Sequence, residues 1–223
     1  MRALEALLDF LLPPACAGCG AAHAGGFPLC APCDAQLPRR DEPVATHPSL
    51  DACIVAVEFR GAIEDWIHRF KYPRPGIAGI DVASGAVARA LALEAAMRAP
   101  APRPDLVIPI PLHPRRLRAR GFNPAGLLTH HLACALDLPQ DARTLRRVRD
   151  TPSQTGLDRR GRRSNLRNAF SCARHVPPSI WLVDDVVTTG STLAEAARVL
   201  RRCGALRIVG IALAATPAGR FGA

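Results

Sequence analysis

SIWLVDDVVTTGSTLAEAARVL, residues Ser179–Leu200, is the stretch on which the fold turns. Ile180–Val183 is an apolar run with the character of a buried strand, and it ends on two adjacent carboxylates, Asp184 and Asp185. A loop of small and hydroxylated residues follows, and then a helix predicted over Leu193–Cys203 and closed by Gly204. Thr192-x-x-Glu195 has the spacing of a capping box. A strand, a hydroxyl-rich turn and a helix N-terminus make a phosphate site, because unpaired N–H groups and the helix dipole both favour an anion there. Gly190 lets backbone approach the ligand. Two carboxylates beside such a cup suit vicinal hydroxyls, alone or shared with Mg²⁺, so the ligand expected is a phosphorylated sugar.

Outward from this stretch the chain alternates strands and helices. Ala52–Phe59, Asp105–Leu112 and Ala205–Thr216 read as strands, with a weaker one over 142–148. Gly61–Tyr72, Ser84–Met97 and Asn123–Leu136 read as helices, while His113–Gly121 reads as a loop. Alternation of this kind predicts a parallel α/β sheet with helices on both faces, and ligands in such sheets sit at the carboxyl ends of the strands. Neither GxxxxGK[ST] nor GxGxxG occurs, which removes P-loop and dinucleotide-binding readings.

The N-terminal part is organised differently. Cys16-x2-Cys19 and Cys30-x2-Cys33 lie in Gly/Ala/Pro-rich sequence with little to build a core from. Two CxxC turns present four thiolates to one structural Zn²⁺, whose binding supplies the missing folding free energy. Disulfides are the competing reading, without other signs of an oxidising compartment. The remaining cysteines, Cys53, Cys134, Cys172 and Cys203, read as small buried hydrophobes. A short amphipathic helix is expected at 1–14, and Pro38–Pro48 reads as a linker. These boundaries give a zinc module over 1–40 and an α/β domain over 50–223. No apolar run nears the roughly 18 residues of a membrane span, and the expected location is cytoplasmic.

Of 223 residues, 48% are hydrophobic and 22% charged, the balance of a folded protein. The net charge of +10 is unevenly placed: residues 101–178 hold 15 Arg against five Asp, and the rest is neutral. Such a segment suits phosphates or nucleic acid, or it is a solvated Arg-rich surface. Lys71 is the one lysine in the chain.

Asp184–Thr192 resembles the phosphoribosyl pyrophosphate (PRPP) signature of type I phosphoribosyltransferases. With the paired CxxC, HRFKY, VIPIPLHPRRLRARGFNPAGLL, TPSQTGL and RRSNLRNAF in this order, the whole chain resembles the ComF family of competence-linked, amidophosphoribosyltransferase-like proteins. The resemblance implies a type I phosphoribosyltransferase fold and PRPP bound with Mg²⁺. Asp184 and Asp185 would hold the ribose hydroxyls, and Val186, Thr188, Thr189, Gly190, Ser191 and Thr192 would complete the site around the 5′-phosphate. Lys71, Arg115, Arg120, Gln154 and Arg162 are candidates for the diphosphate or a covering hood, with Lys71, Asp184 and Asp185 the candidate catalytic groups. It also implies single-stranded DNA and competence machinery such as a helicase as partners, and displacement at the anomeric carbon if transfer occurs. Pro124 stands where the family usually has Gln.

Overall fold

The computed structural model describes residues 15–23, 27–40, 43, 48–72, 82–150 and 168–217. Its centre is a four-stranded parallel sheet in the order β1-β6-β5-β2, formed by β1 (Ala52–Glu58), β2 (Leu106–Pro109), β5 (Ser179–Val187) and β6 (Arg207–Ala215). β6, RIVGIALAA, is buried at every position after Arg207. A strand sandwiched on both faces has no polar side to show, so it reads as a continuous apolar run.

Alternation along β5 divides the core in two. Trp181 and Val183 join a cluster with Ile63, Trp66 and Phe70 of α2 (Ala62–Lys71), Leu91 and Ala95 of α3 (Val82–Met97), and Leu128 and Leu132 of α5 (Pro124–Leu136). Ile180 and Leu182 face the other way, towards Leu193, Ala197 and Leu200 of α6 (Ser191–Arg202). Helices therefore cover both faces, as the alternation of elements predicts.

Two elements differ from the sequence reading. Pro114–Arg120 is a helix, α4, and not a loop: Pro114 opens it, the His113 Nδ1 accepts the Arg115 N–H at 3.3 Å, and Gly121 closes it in the left-handed region at φ 84°. Proline at the first helical position sacrifices no bond. The weak strand shrinks to β3 (Leu145–Arg147), which leaves the parallel sheet and pairs antiparallel with β4 (Phe170–Cys172). This ribbon packs on the α6 side through Leu145 and Phe170.

The cysteine segment folds against the same core. Ala15 and Ala22 bridge across a tight turn, and α1 (Ala31–Ala35) carries Cys33. Cys16, Leu29 and Leu37 enter the cluster that holds Ile63 and Trp66. Arg39 bonds Glu94 of α3 at 3.0 Å and Asp34 at 2.7 Å. Burial opposes its charge, but these carboxylates outweigh burial and raise its pKa. Residues 38–40, read as the start of a linker, run antiparallel beside β1: the Glu58 N–H donates to Pro38 O and the Arg40 N–H to Ala56 O. Among the described residues, no helix is long and apolar enough to cross a membrane. The helix expected at 1–14, Gln154 and Arg162 lie outside the described residues.

Candidate functional site: a carboxylate pair beside a helix N-terminus

β2 and β5 are neighbours, but their chains leave the sheet in opposite directions. β2 stops at Pro109, paired with Val183, and its continuation goes to α4 and α5, the latter on the α2 face. β5 runs on, paired with β6, as far as Val187 opposite Ala215, and its continuation goes to α6 on the other face. A crevice opens where the two diverge, at the carboxyl ends of the strands. It is a cavity of about 410 Å³. Its walls come from β5 and the following loop (Asp184, Asp185, Thr188, Gly190, Ser191, Thr192), from the chain after β2 (Ile110, Leu112, Arg116, Arg120, Asn123), and from Lys71 and Arg147.

Because successive strand side chains point to opposite faces, Asp184 and Asp185 serve different sides of this crevice. Asp185 lies on the α2 side, where Lys71 Nζ meets its Oδ2 at 3.0 Å, and its Oδ1 accepts the Val186 N–H at 2.7 Å. Asp184 lies on the α6 side, and its Oδ1 accepts the Asp185 N–H at 2.9 Å. Burial and the neighbouring Asp185 charge push the Asp184 carboxyl up to about 8, against the opposing pull of Lys71 and Arg147. Its field reaches Cys53, whose thiol burial and Asp184 together push up to about 12.

The loop beyond is held by the sheet and not by the expected cap. The Thr216 N–H donates to Val187 O and its hydroxyl to Thr188 O, both at 3.0 Å. Gly190 is the N-cap of α6, at φ 70°, where a side chain would be strained. The Thr192–Glu195 capping box does not form. Glu195 instead accepts Arg198 at 2.6 Å and the Asn168 N–H at 2.9 Å, tying α6 to the approach of β4, while the Ser191 N–H that opens α6 donates to Thr189 Oγ1 at 3.5 Å. Thr189 does not line the cavity; its hydroxyl meets that of Ser191 at 2.9 Å.

The cationic wall differs from the sequence candidates. Lys71 and Arg120 line the cavity, and Arg120 also bonds the Tyr72 hydroxyl at 2.8 Å. Arg115 does not line it: its side chain is 75% exposed and turned to Asp150 at 3.7 Å. Arg116, one helical step on, takes that place, and so does Arg147, which no motif announces. Arg147 lies nine-tenths buried with its guanidinium over the Phe170 ring. The signal for it was alternation, since Leu145 and Arg147 share the buried face of β3. Pro124 stands at the first position of α5, where a missing N–H is harmless, and it too lines the cavity.

Away from this crevice, the sulfurs of Cys16, Cys19, Cys30 and Cys33 all lie within 4.8 Å of one another, and Cys19 and Cys30 are 3.7 Å apart. Tetrahedral Zn–S bonds of about 2.3 Å place sulfurs about 3.8 Å apart, so the set fits the metal. The Gly18 and Cys30 N–H groups donate to Cys16 Sγ, as they would to a bound thiolate. Of the other cysteines, Cys53 is buried as expected, Cys172 and Cys203 are half-buried, and Cys134 is exposed on α5, contrary to expectation.

Residues 7–47 match the double zinc ribbon domain family. Competence protein F of Haemophilus influenzae is 33% identical over 197 residues, 85% of each chain. DNA utilization protein YhgH of Escherichia coli O157:H7 is 33% identical over 201 residues, 86% of each chain. Among solved structures, orotate phosphoribosyltransferase from Aeropyrum pernix overlays with a TM-score of 0.37 at 25% identity, over 59% of this chain and 58% of that one. Adenine phosphoribosyltransferase from Leishmania tarentolae overlays with a TM-score of 0.39 at 12% identity, over 82% of this chain and all of the other. With a third of its residues shared with both curated relatives over most of their length, the chain belongs to the family of competence protein F and DNA utilization protein YhgH.

Proposed function

We propose that this protein binds PRPP with Mg²⁺ in the crevice between β2 and β5, and that it does so in the service of DNA uptake. One observation carries the ligand: a carboxylate pair and the N-terminus of α6, joined by a glycine turn, line one cavity whose other wall is cationic. The α6 N–H groups and the hydroxyls of Thr188, Ser191 and Thr192 take the 5′-phosphate. Asp184 and Asp185 accept hydrogen bonds from the ribose hydroxyls. Lys71, Arg116 and Arg120 face the diphosphate. Hard carboxylate oxygens beside a polyphosphate also suit Mg²⁺, which typically keeps one or two carboxylates plus substrate oxygens and would offset phosphate charge there. The likeness to competence protein F and to DNA utilization protein YhgH supports the biological process.

The test is calorimetry of the zinc-loaded chain with PRPP, with and without Mg²⁺. We expect binding that needs the metal and that disappears in Asp184→Asn/Asp185→Asn. No heat with PRPP and Mg²⁺ would refute the reading.

A second reading, an active phosphoribosyltransferase for a nucleobase or amine, is favoured by the cationic wall, because a departing pyrophosphate is stabilised by fixed positive charge. Pyrophosphate release from PRPP, measured with a pool of bases and amines, separates turnover from binding alone. For DNA, the exposed Arg115, Arg118, Arg143, Arg146 and Arg149 offer phosphate contacts of the kind that give strong salt dependence.

A further inference from the structure

The proposed ligand leaves one contact unexplained. The Lys71 ammonium sits on Asp185 Oδ2 at 3.0 Å, with side-chain exposures of 21% and 13%. The other oxygen of Asp185 is held by the Val186 N–H. Each oxygen of the hydroxyl-binding carboxylate is thus engaged by the protein itself. Lys71 is the last residue of α2, so its Cα is fixed by a helix while its four-carbon stem can reach elsewhere in the cavity.

A ligand that takes over Asp185 must loosen or displace this ammonium, which then lies mostly out of water without its partner. Removing one partner from a desolvated ion pair is unfavourable out of proportion to the pair's own worth. A ligand offset by a second anion avoids that penalty, because the released ammonium can turn to it. A sugar 5-phosphate, whose only anion lies in the α6 cup, cannot. We propose that Lys71 is a displaceable internal counter-ion that makes the site selective for a sugar phosphate carrying a second anionic group over the sugar phosphate alone. This rests on the PRPP reading but is tested apart from it.

The chain's single lysine makes the experiment clean. Protein grown with [¹³Cε]lysine carries one such signal, from Lys71, and the zinc-loaded full chain is titrated with ribose 5-phosphate and with PRPP, each with Mg²⁺. We expect PRPP to move the signal and to bind far more tightly than ribose 5-phosphate. In Lys71→Met the preference should collapse from both sides. Ribose 5-phosphate should bind at least about fivefold more tightly, since it no longer leaves a mostly buried ammonium without its partner. PRPP should bind roughly 10- to 100-fold more weakly, the worth of a lost charge-assisted hydrogen bond.

A Lys71 signal unmoved at saturating PRPP, or a Lys71→Met variant that weakens both ligands equally, would overturn the proposal. If Lys71→Met does not fold, Lys71→Gln and the wild-type signal decide. If the wild-type chain binds neither sugar phosphate, the PRPP reading falls. The counter-ion role then stands only if Lys71→Met gains ribose 5-phosphate binding, and falls if it does not.

Discussion

Replacing Asp184 by asparagine removes an ionisation that the unliganded fold disfavours. Burial and Asp185 raise the folded-state pKa of Asp184 from 3.8 to about 8. A group raised in this way is fully stabilising below its unfolded pKa and loses that stabilisation as pH rises through the folded value. At about 1.4 kcal/mol per unit, the loss between about pH 5 and pH 9 would be roughly 4 kcal/mol if the shift acted in full. Asp184 keeps part of its surface open to the cavity, where solvent screens it, and we expect about half of that, roughly 2 kcal/mol. Asparagine retains the oxygen that accepts the Asp185 N–H, so the local bond survives. Near pH 5 the variant and the wild-type chain should therefore melt close together. Near pH 9 the variant should melt higher by about 4–8 °C, the usual conversion for a chain of this size. Thermal melts of both, zinc-loaded and without Mg²⁺ or phosphate, provide the comparison. A melting difference that stays constant over this range, or a variant that is less stable at high pH, would refute the electrostatic account of the carboxylate pair.

Three further outcomes follow from the geometry. Elemental analysis should find one zinc per chain, and Cys19→Ala should abolish it. Arg39→Ala should lower stability by roughly 1–3 kcal/mol, because it leaves Glu94 and Asp34 without their shared cation; limited proteolysis should then cut first within residues 15–40, and protection equal to wild type would count against the coupling. For single-stranded DNA, log affinity should fall with log salt by about 0.7 per phosphate contact; a flat line would mean that the Arg-rich surface touches no phosphates.

The legible parts of this protein were local ones. β5, its glycine turn and α6 are contiguous, so their apolar run, carboxylates and hydroxyls could be read in order. The zinc ligands were legible because the two-residue spacing within each CxxC pair is itself the constraint. What escaped depended on distant partners or on missing periodicity. α4 has one aliphatic side chain longer than alanine, Leu117, in seven residues, so no apolar stripe marks it as helical. β3 and β4 are three residues each and 22 residues apart, and neither has enough pattern to name the other. Arg147 enters the cavity only because that pairing exists. The capping box failed for a similar reason: Glu195 had better partners in Arg198 and in the Asn168 backbone, which approaches from a remote strand.

The three residues 38–40, laid against β1, carry a consequence for the protein in solution. β1 is an outer strand of a four-stranded sheet, and a bare outer strand is a template for the next molecule. Here the Ala56–Glu58 end of that template is occupied by the chain's own backbone, held in place by Arg39 and Arg98 and continuous with the cysteine module. The metal site is thereby an indirect guard on solubility. Stripping it should increase light scattering over time, through strand-to-strand association, before the parallel sheet itself melts.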